Sequence, residues 1–160
     1  MMIKIRKMKK TDRPLILDMV RQTKMFSRAE VDVAMELVDI YLNDKKQRDY
    51  ILAVAENEQK ETVGYVCYGP TPATEGTFDL YWIVVSPAHQ NKGIGKELLK
   101  YVENIVFSEG GRLLIIETSS QEKYEPTRNF YLNNHYQVAA RIKDFYKAGD
   151  DRIIYVKYHD

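Results

Sequence analysis

Seven consecutive residues, Gln90-Asn91-Lys92-Gly93-Ile94-Gly95-Lys96, combine two glycines and two lysines at the start of an apolar helical pattern. A turn of this kind points unpaired backbone N–H groups at an anion. Glycine reaches positive φ without strain and lets a phosphate oxygen approach the backbone with no Cβ in the way. Lys92 and Lys96 add positive charge. In a first helical turn that charge opposes the helix dipole at roughly 0.3–1 kcal/mol each, which a bound polyphosphate would offset. Two familiar phosphate signatures fail here. A P-loop needs four residues between its first glycine and Gly-Lys, then Ser or Thr, but Glu97 follows Lys96. A dinucleotide fingerprint needs a third glycine where Leu98 stands.

Two carboxylates are candidates for acid–base work. Asp79 lies in Phe78-Asp79-Leu80-Tyr81-Trp82, an apolar and aromatic run in which an unpaired carboxylate is costly to bury. Glu117 ends the apolar run 113–116, and open α/β sheets commonly hold ligands at strand ends. Glu117 has a plain structural alternative as a pairing or capping residue at a strand end. Arg128, early in a late helix, is a candidate for a phosphate oxygen or for a surface ion pair.

The elements that must hold these residues alternate in type. Ile3, Ile5 and Met8 alternate with basic residues in a first strand, and a helix follows with Thr11 or Asp12 as cap and Pro14 in its first turn. Ser27 and Glu30 form a capping box, after which Val31, Ala34, Leu37, Val38 and Tyr41 recur at helical spacing. Residues 50–56 and 62–68 read as a hairpin, and 77–85 as a strand ended by Ser86-Pro87. A helix begins near Lys92 or Gly93 and stops at Gly110-Gly111; a short strand, 112–117, follows. Residues 125–134 read as a helix, and 136–145 and 152–158 as closing strands joined across Ala148-Gly149-Asp150. This order predicts one α/β domain over 1–160, a mixed sheet with helices on both faces and a crossover helix joining parallel strands.

Composition narrows the function classes. A 160-residue chain with 44% apolar and 29% charged residues has material for one core, and a formal net charge of +1 provides no field for nucleic acid or an anionic membrane. No segment is long and apolar enough to predict a membrane span, so a soluble cytoplasmic protein is the expectation. Cys67, the one cysteine, sits in an apolar run and reads as a core thiol. The three histidines, His89, His135 and His159, are scattered without metal-ligand spacing, so no metal is expected.

With Gln90, Gly93 and Gly95 in place, the chain resembles the GCN5-related N-acetyltransferase (GNAT) superfamily. Residues 81–87, Tyr-Trp-Ile-Val-Val-Ser-Pro, are similar to that family's fourth strand and exit proline, and Arg128-Asn129-Phe130-Tyr131 to its later helix. The resemblance implies a twisted, predominantly antiparallel sheet, acetyl-CoA as cosubstrate and an amine-bearing small molecule or peptide as acceptor. It implies a strand bulge around Ile83 to Val85 that exposes their backbones to the pantetheine arm. Amides from Gln90 or Asn91 through Lys92, Gly93, Ile94, Gly95 and Lys96 are then expected around the pyrophosphate. It also implies that Tyr131 donates a proton to the departing thiolate, with Glu117 or Asp79 as base. A homodimer is a further expectation of the resemblance. A noncatalytic module that binds acyl-CoA is the alternative. Tyr124, Thr127 and His135 depart from the family pattern, which usually has asparagine, alanine and glycine there.

Overall fold

The structure, a computed structural model, describes residues 2–160. Seven strands form one sheet in the order β1-β2-β3-β4-β5-β7-β6, with four α-helices packed on it. The strands are β1 (Lys4–Lys7), β2 (Ile51–Glu56), β3 (Thr62–Pro70), β4 (Thr77–Val85), β5 (Leu113–Ser119), β6 (Gln137–Lys147) and β7 (Asp150–Tyr158). The helices are α1 (Arg13–Gln22), α2 (Arg28–Asn43), α3 (Ile94–Ser108) and α4 (Glu125–Asn133). Only β4 and β5, joined by the crossover helix α3, run parallel; every other neighbouring pair is antiparallel. The single α/β sheet anticipated from the order of elements is therefore present. No helix among the described residues is long and apolar enough to cross a membrane.

Local sequence explains most boundaries. Ser27 Oγ accepts from the Glu30 amide at 3.1 Å while Glu30 Oε1 accepts from the Ser27 amide at 3.0 Å, so the capping box starts α2. His135, at φ +71°, ends α4 in the left-handed conformation that histidine tolerates better than most residues.

The sheet divides two cores. On one face α3 and α4 pack through Leu98, Val102, Val106 and Tyr131 against Val63, Leu114 and Ile116. On the other, α1 and α2 cover Leu52, Val54, Tyr65 and Cys67. Cys67 has no solvent exposure, and burial pushes its thiol well above the ordinary range, the condition of an inert core thiol.

The bulge in β4 lies earlier than the resemblance implies. Cys67 pairs with Trp82 but Tyr68 pairs with Leu80, leaving Tyr81 as the extra residue. Tyr81 and Trp82 consequently both join the α1–α2 core, while Leu80 and Ile83 join the α3 side. Strict alternation, which would put Leu80 and Trp82 on one face, breaks at this point.

The first strand is not simply a charged surface. Arg6 holds Asp12 through two nitrogens at 2.8 and 2.9 Å and reaches Glu56 at 3.0 Å. Burial would raise the Asp12 pKa, but bonds from Arg6, the Lys9 amide and Thr62 outweigh it and hold the carboxyl below its usual range. At the opposite edge, all eleven residues of β6 are exposed, and its pairing with β7 slips twice.

Candidate functional site

β4 and β5 pair only between Thr77–Asp79 and Leu113–Ile115. Beyond that point they part, and a cleft of about 910 Å³ opens between them, bounded also by the α1–α2 loop, α4 and the β6–β7 hairpin. Asp79, Tyr81, Ile83, Val85, Gln90, Glu117 and Tyr131 all contribute to its wall. Residues singled out from four separate stretches of sequence thus meet at one place.

The parted edge of β4 is open. Ser86 donates its amide to the Val63 carbonyl at 2.8 Å, and backbone direction alternates along a strand, so the amides and carbonyls of Ile83 and Val85 turn away from β3. The Gln90 side chain donates to the Val85 carbonyl at 3.4 Å and so marks the far end of this edge.

The turn into α3 begins with Asn91 at φ +61° and Gly93 at φ +82°. A Cβ on Gly93 would meet nothing within 4 Å, so glycine serves there for its backbone conformation alone. Gly95 is helical, and a Cβ there would contact Phe130 at an ordinary 3.6 Å. The Glu97 amide makes the first intrahelical bond, to the Gly93 carbonyl, so the amides of Ile94, Gly95 and Lys96 precede the helix ladder. Lys92 and Lys96 are exposed beside them.

Tyr131 is 4% exposed and packs edge-on against Phe130 and Tyr136, with ring centroids at 5.1 and 5.6 Å. Burial pushes its phenol far above the ordinary value, so it keeps its proton throughout the neutral range. Asp79 accepts from the Thr71 hydroxyl at 2.8 Å. Neighbouring Tyr81 is pushed up to about 12, first by burial and then by the charge of Asp79. Glu117 is exposed to the cleft and forms an ion pair with Arg152 of β7. Arg128 acts as a clasp: one guanidinium nitrogen donates to the carbonyls of both Ser119 and Gln121, at 2.9 and 2.8 Å.

The roles of several wall residues escaped the sequence reading. Asp150, 5% exposed, accepts from the Ser119 hydroxyl at 2.5 Å and from Gln121 at 2.7 Å. Arg152 lies over the Phe145 ring at 4.8 Å. Tyr124 donates to the Met25 carbonyl at 3.1 Å and ties the α1–α2 loop to α4. A hairpin turn at Gly149-Asp150 was legible, but nothing local indicated that β7 would carry it into the cleft.

A sequence model of the acetyltransferase (GNAT) family matches residues 17–136, three-quarters of the chain. The chain belongs to the GNAT family. A Desulfovibrio desulfuricans protein assigned to the GNAT family superposes with a TM-score of 0.93 at 44% identity, over 98% of this chain and 99% of that one. The Escherichia coli ribosomal-protein-S18-alanine N-acetyltransferase follows at TM-score 0.76 and 18% identity, over 98% and 94% of the two chains. An aminoglycoside 6'-N-acetyltransferase complexed with coenzyme A gives 0.75 and 18%, over 97% and 96%. At such low identity these last two share the GNAT fold alone. No protein of curated function matches the sequence. The single-domain, mostly antiparallel sheet with its four helices matches the GNAT fold.

Proposed function

We propose that this GNAT acetyltransferase moves an acetyl group from acetyl-CoA to a primary amine of a small molecule or peptide. The observation that carries the reading is the parting of β4 and β5, which brings an open strand edge and a buried, protonated tyrosine to one cleft, whose wall reaches Gln90 at the start of the turn that leads to the free amides of α3. The residues present suit the cosubstrate. The amides of Ile94, Gly95 and Lys96, the turn through Gln90, Asn91 and Gly93, and the charges of Lys92 and Lys96 would hold the pyrophosphate. The backbones of Ile83 and Val85 would bond the pantetheine amides as an added strand does. Arg128, already bonded to two carbonyls, is left with its remaining guanidinium donors for any phosphate contact.

The cosubstrate supplies an activated acyl carbon; the amine's nitrogen bonds to it and the carbon–sulfur bond breaks. Tyr131 holds the proton that the departing sulfur takes. The cleft wall offers Glu117, oriented by Arg152, and Asp79, oriented by Thr71, as the carboxylates that accept the amine's proton directly or through water. Glu117→Gln and Asp79→Asn, assayed across pH, separate the two.

The deciding experiment is release of free thiol from acetyl-CoA across a panel of amines, with products identified by mass spectrometry. Acetylated product from at least one amine class is the expected result. Stoichiometric acetyl-CoA binding without thiol release across the panel would instead make the protein a coenzyme-binding module.

A further inference from the structure

Thr118 carries a hydroxyl in the cleft wall that the chemistry above does not use. It follows Glu117 in β5, three residues past the last β4–β5 pair. Alternation places it on the face of Leu114 and Ile116, which pack in the same core as Tyr131. Its cross-strand partner, Ile153, belongs to that core as well. Thr118 is 5% exposed, and its Oγ1 is sealed from solvent with no hydrogen-bond partner among the described residues.

A buried hydroxyl without a partner destabilises a fold, and each such group in a native structure calls for an explanation. The neighbouring strand explains why the fold provides none here. β5 reaches β7 on one side, but on the other β4 has already turned away, so the cleft replaces protein beside this residue. Ser119 and Ser120, the next two residues, both find partners, in Asp150 and in the Asp151 amide. Thr118 alone of the three does not.

We propose that the Thr118 hydroxyl donates to the acyl carbonyl oxygen of bound acetyl-CoA, an inference that rests on the cosubstrate reading above. Oγ1 is sealed as it stands, so donation to the ligand requires another staggered χ1 rotamer, roughly 120° away, with bound acetyl-CoA as the partner that the fold withholds. Tyr131 and Thr118 then share the thioester, the phenol at the sulfur and the threonine at the carbonyl. A donor at that oxygen polarises the carbonyl and fixes its orientation toward the amine.

Thr118→Val keeps the shape of the side chain and removes the hydroxyl, so stability and affinity should move in opposite directions. Thermal unfolding of the ligand-free protein should show Tm raised by about 2–4 °C. Calorimetric titration should show acetyl-CoA binding weakened about fivefold, with free coenzyme A, which lacks the acyl oxygen, bound within about twofold of wild type. Thr118→Ser should restore wild-type affinity for acetyl-CoA. A lowered Tm in Thr118→Val would mean that the hydroxyl already has a partner, and the proposal falls. Unchanged acetyl-CoA affinity, or equal loss of both ligands, also overturns it. Wild-type protein that binds neither ligand defeats the cosubstrate reading itself and this inference with it.

Discussion

The two ends of the proposed site are made of different material. The end at α3 is mostly main chain from one continuous stretch, residues 85–96, in which a positive-φ turn and a parted strand leave amides and carbonyls open. The end between the α1–α2 loop and the β6–β7 hairpin is mostly side chains brought from far apart. Ser119 meets Asp150 across 31 positions and Tyr124 meets Met25 across 99. A main-chain site tolerates exchange of its side chains as long as the backbone holds its course. A side-chain site changes with every substitution. Under the proposed reading the first end takes the invariant cosubstrate and the second the acceptor, the partner that varies between enzymes of one fold.

Substitutions that act on one end and spare the other test this division. The largest effect is expected where the two meet. Tyr131→Phe should lower kcat by about 100-fold or more while acetyl-CoA affinity stays within about twofold. Unchanged turnover would remove the phenol from the proton transfer. Burial holds that phenol above its ordinary value, so wild-type turnover should show no loss from Tyr131 ionising between about pH 7 and 10.

Gly93→Val comes next. It forces a β-branched residue into φ +82°, and calorimetry should show acetyl-CoA affinity about tenfold weaker. Intact affinity would detach the turn from the site. At the other end, Arg152→Met frees Glu117 from its partner, and the KM for the acceptor should rise about fivefold with acetyl-CoA binding unmoved. Equal damage to both ligands would erase the distinction between the two ends. Smallest of all, Gly95→Ala should change stability by less than about 1 kcal/mol, because the new methyl group meets Phe130 at an ordinary distance within a helix.

The same division governs what could be read in advance. The turn from Gln90 to Lys96, the exit at Pro87 and the start of α2 at Ser27 are each specified within a few neighbouring residues, and each occurs as expected. The position of the bulge in β4, at Tyr81 and earlier than the resemblance implies, was not legible because a bulge leaves no mark in side-chain type. Glu117 was recognisable as a strand-end carboxylate, but Arg152, which holds it, depends on β7 lying beside β5, a pairing of residues far apart in the chain. Asp150 looked like a turn residue, and it stands directly after the turn as the first residue of β7. Its second role comes from the sheet order, in which β7 inserts between β5 and β6.

That order has a further consequence for β6. As the last strand it offers a row of unpaired backbone groups, and Val138, Ile142, Phe145 and Tyr146 are 42–54% exposed along it. Such an edge is a template for stray pairing. Arg141, Lys143 and Asp144 interrupt the apolar positions, and Asp144 at φ +54° breaks the ladder where the register slips. The colloidal behaviour of the protein in concentrated solution should therefore rest on these few charges and one left-handed aspartate, far from the residues that do its chemistry.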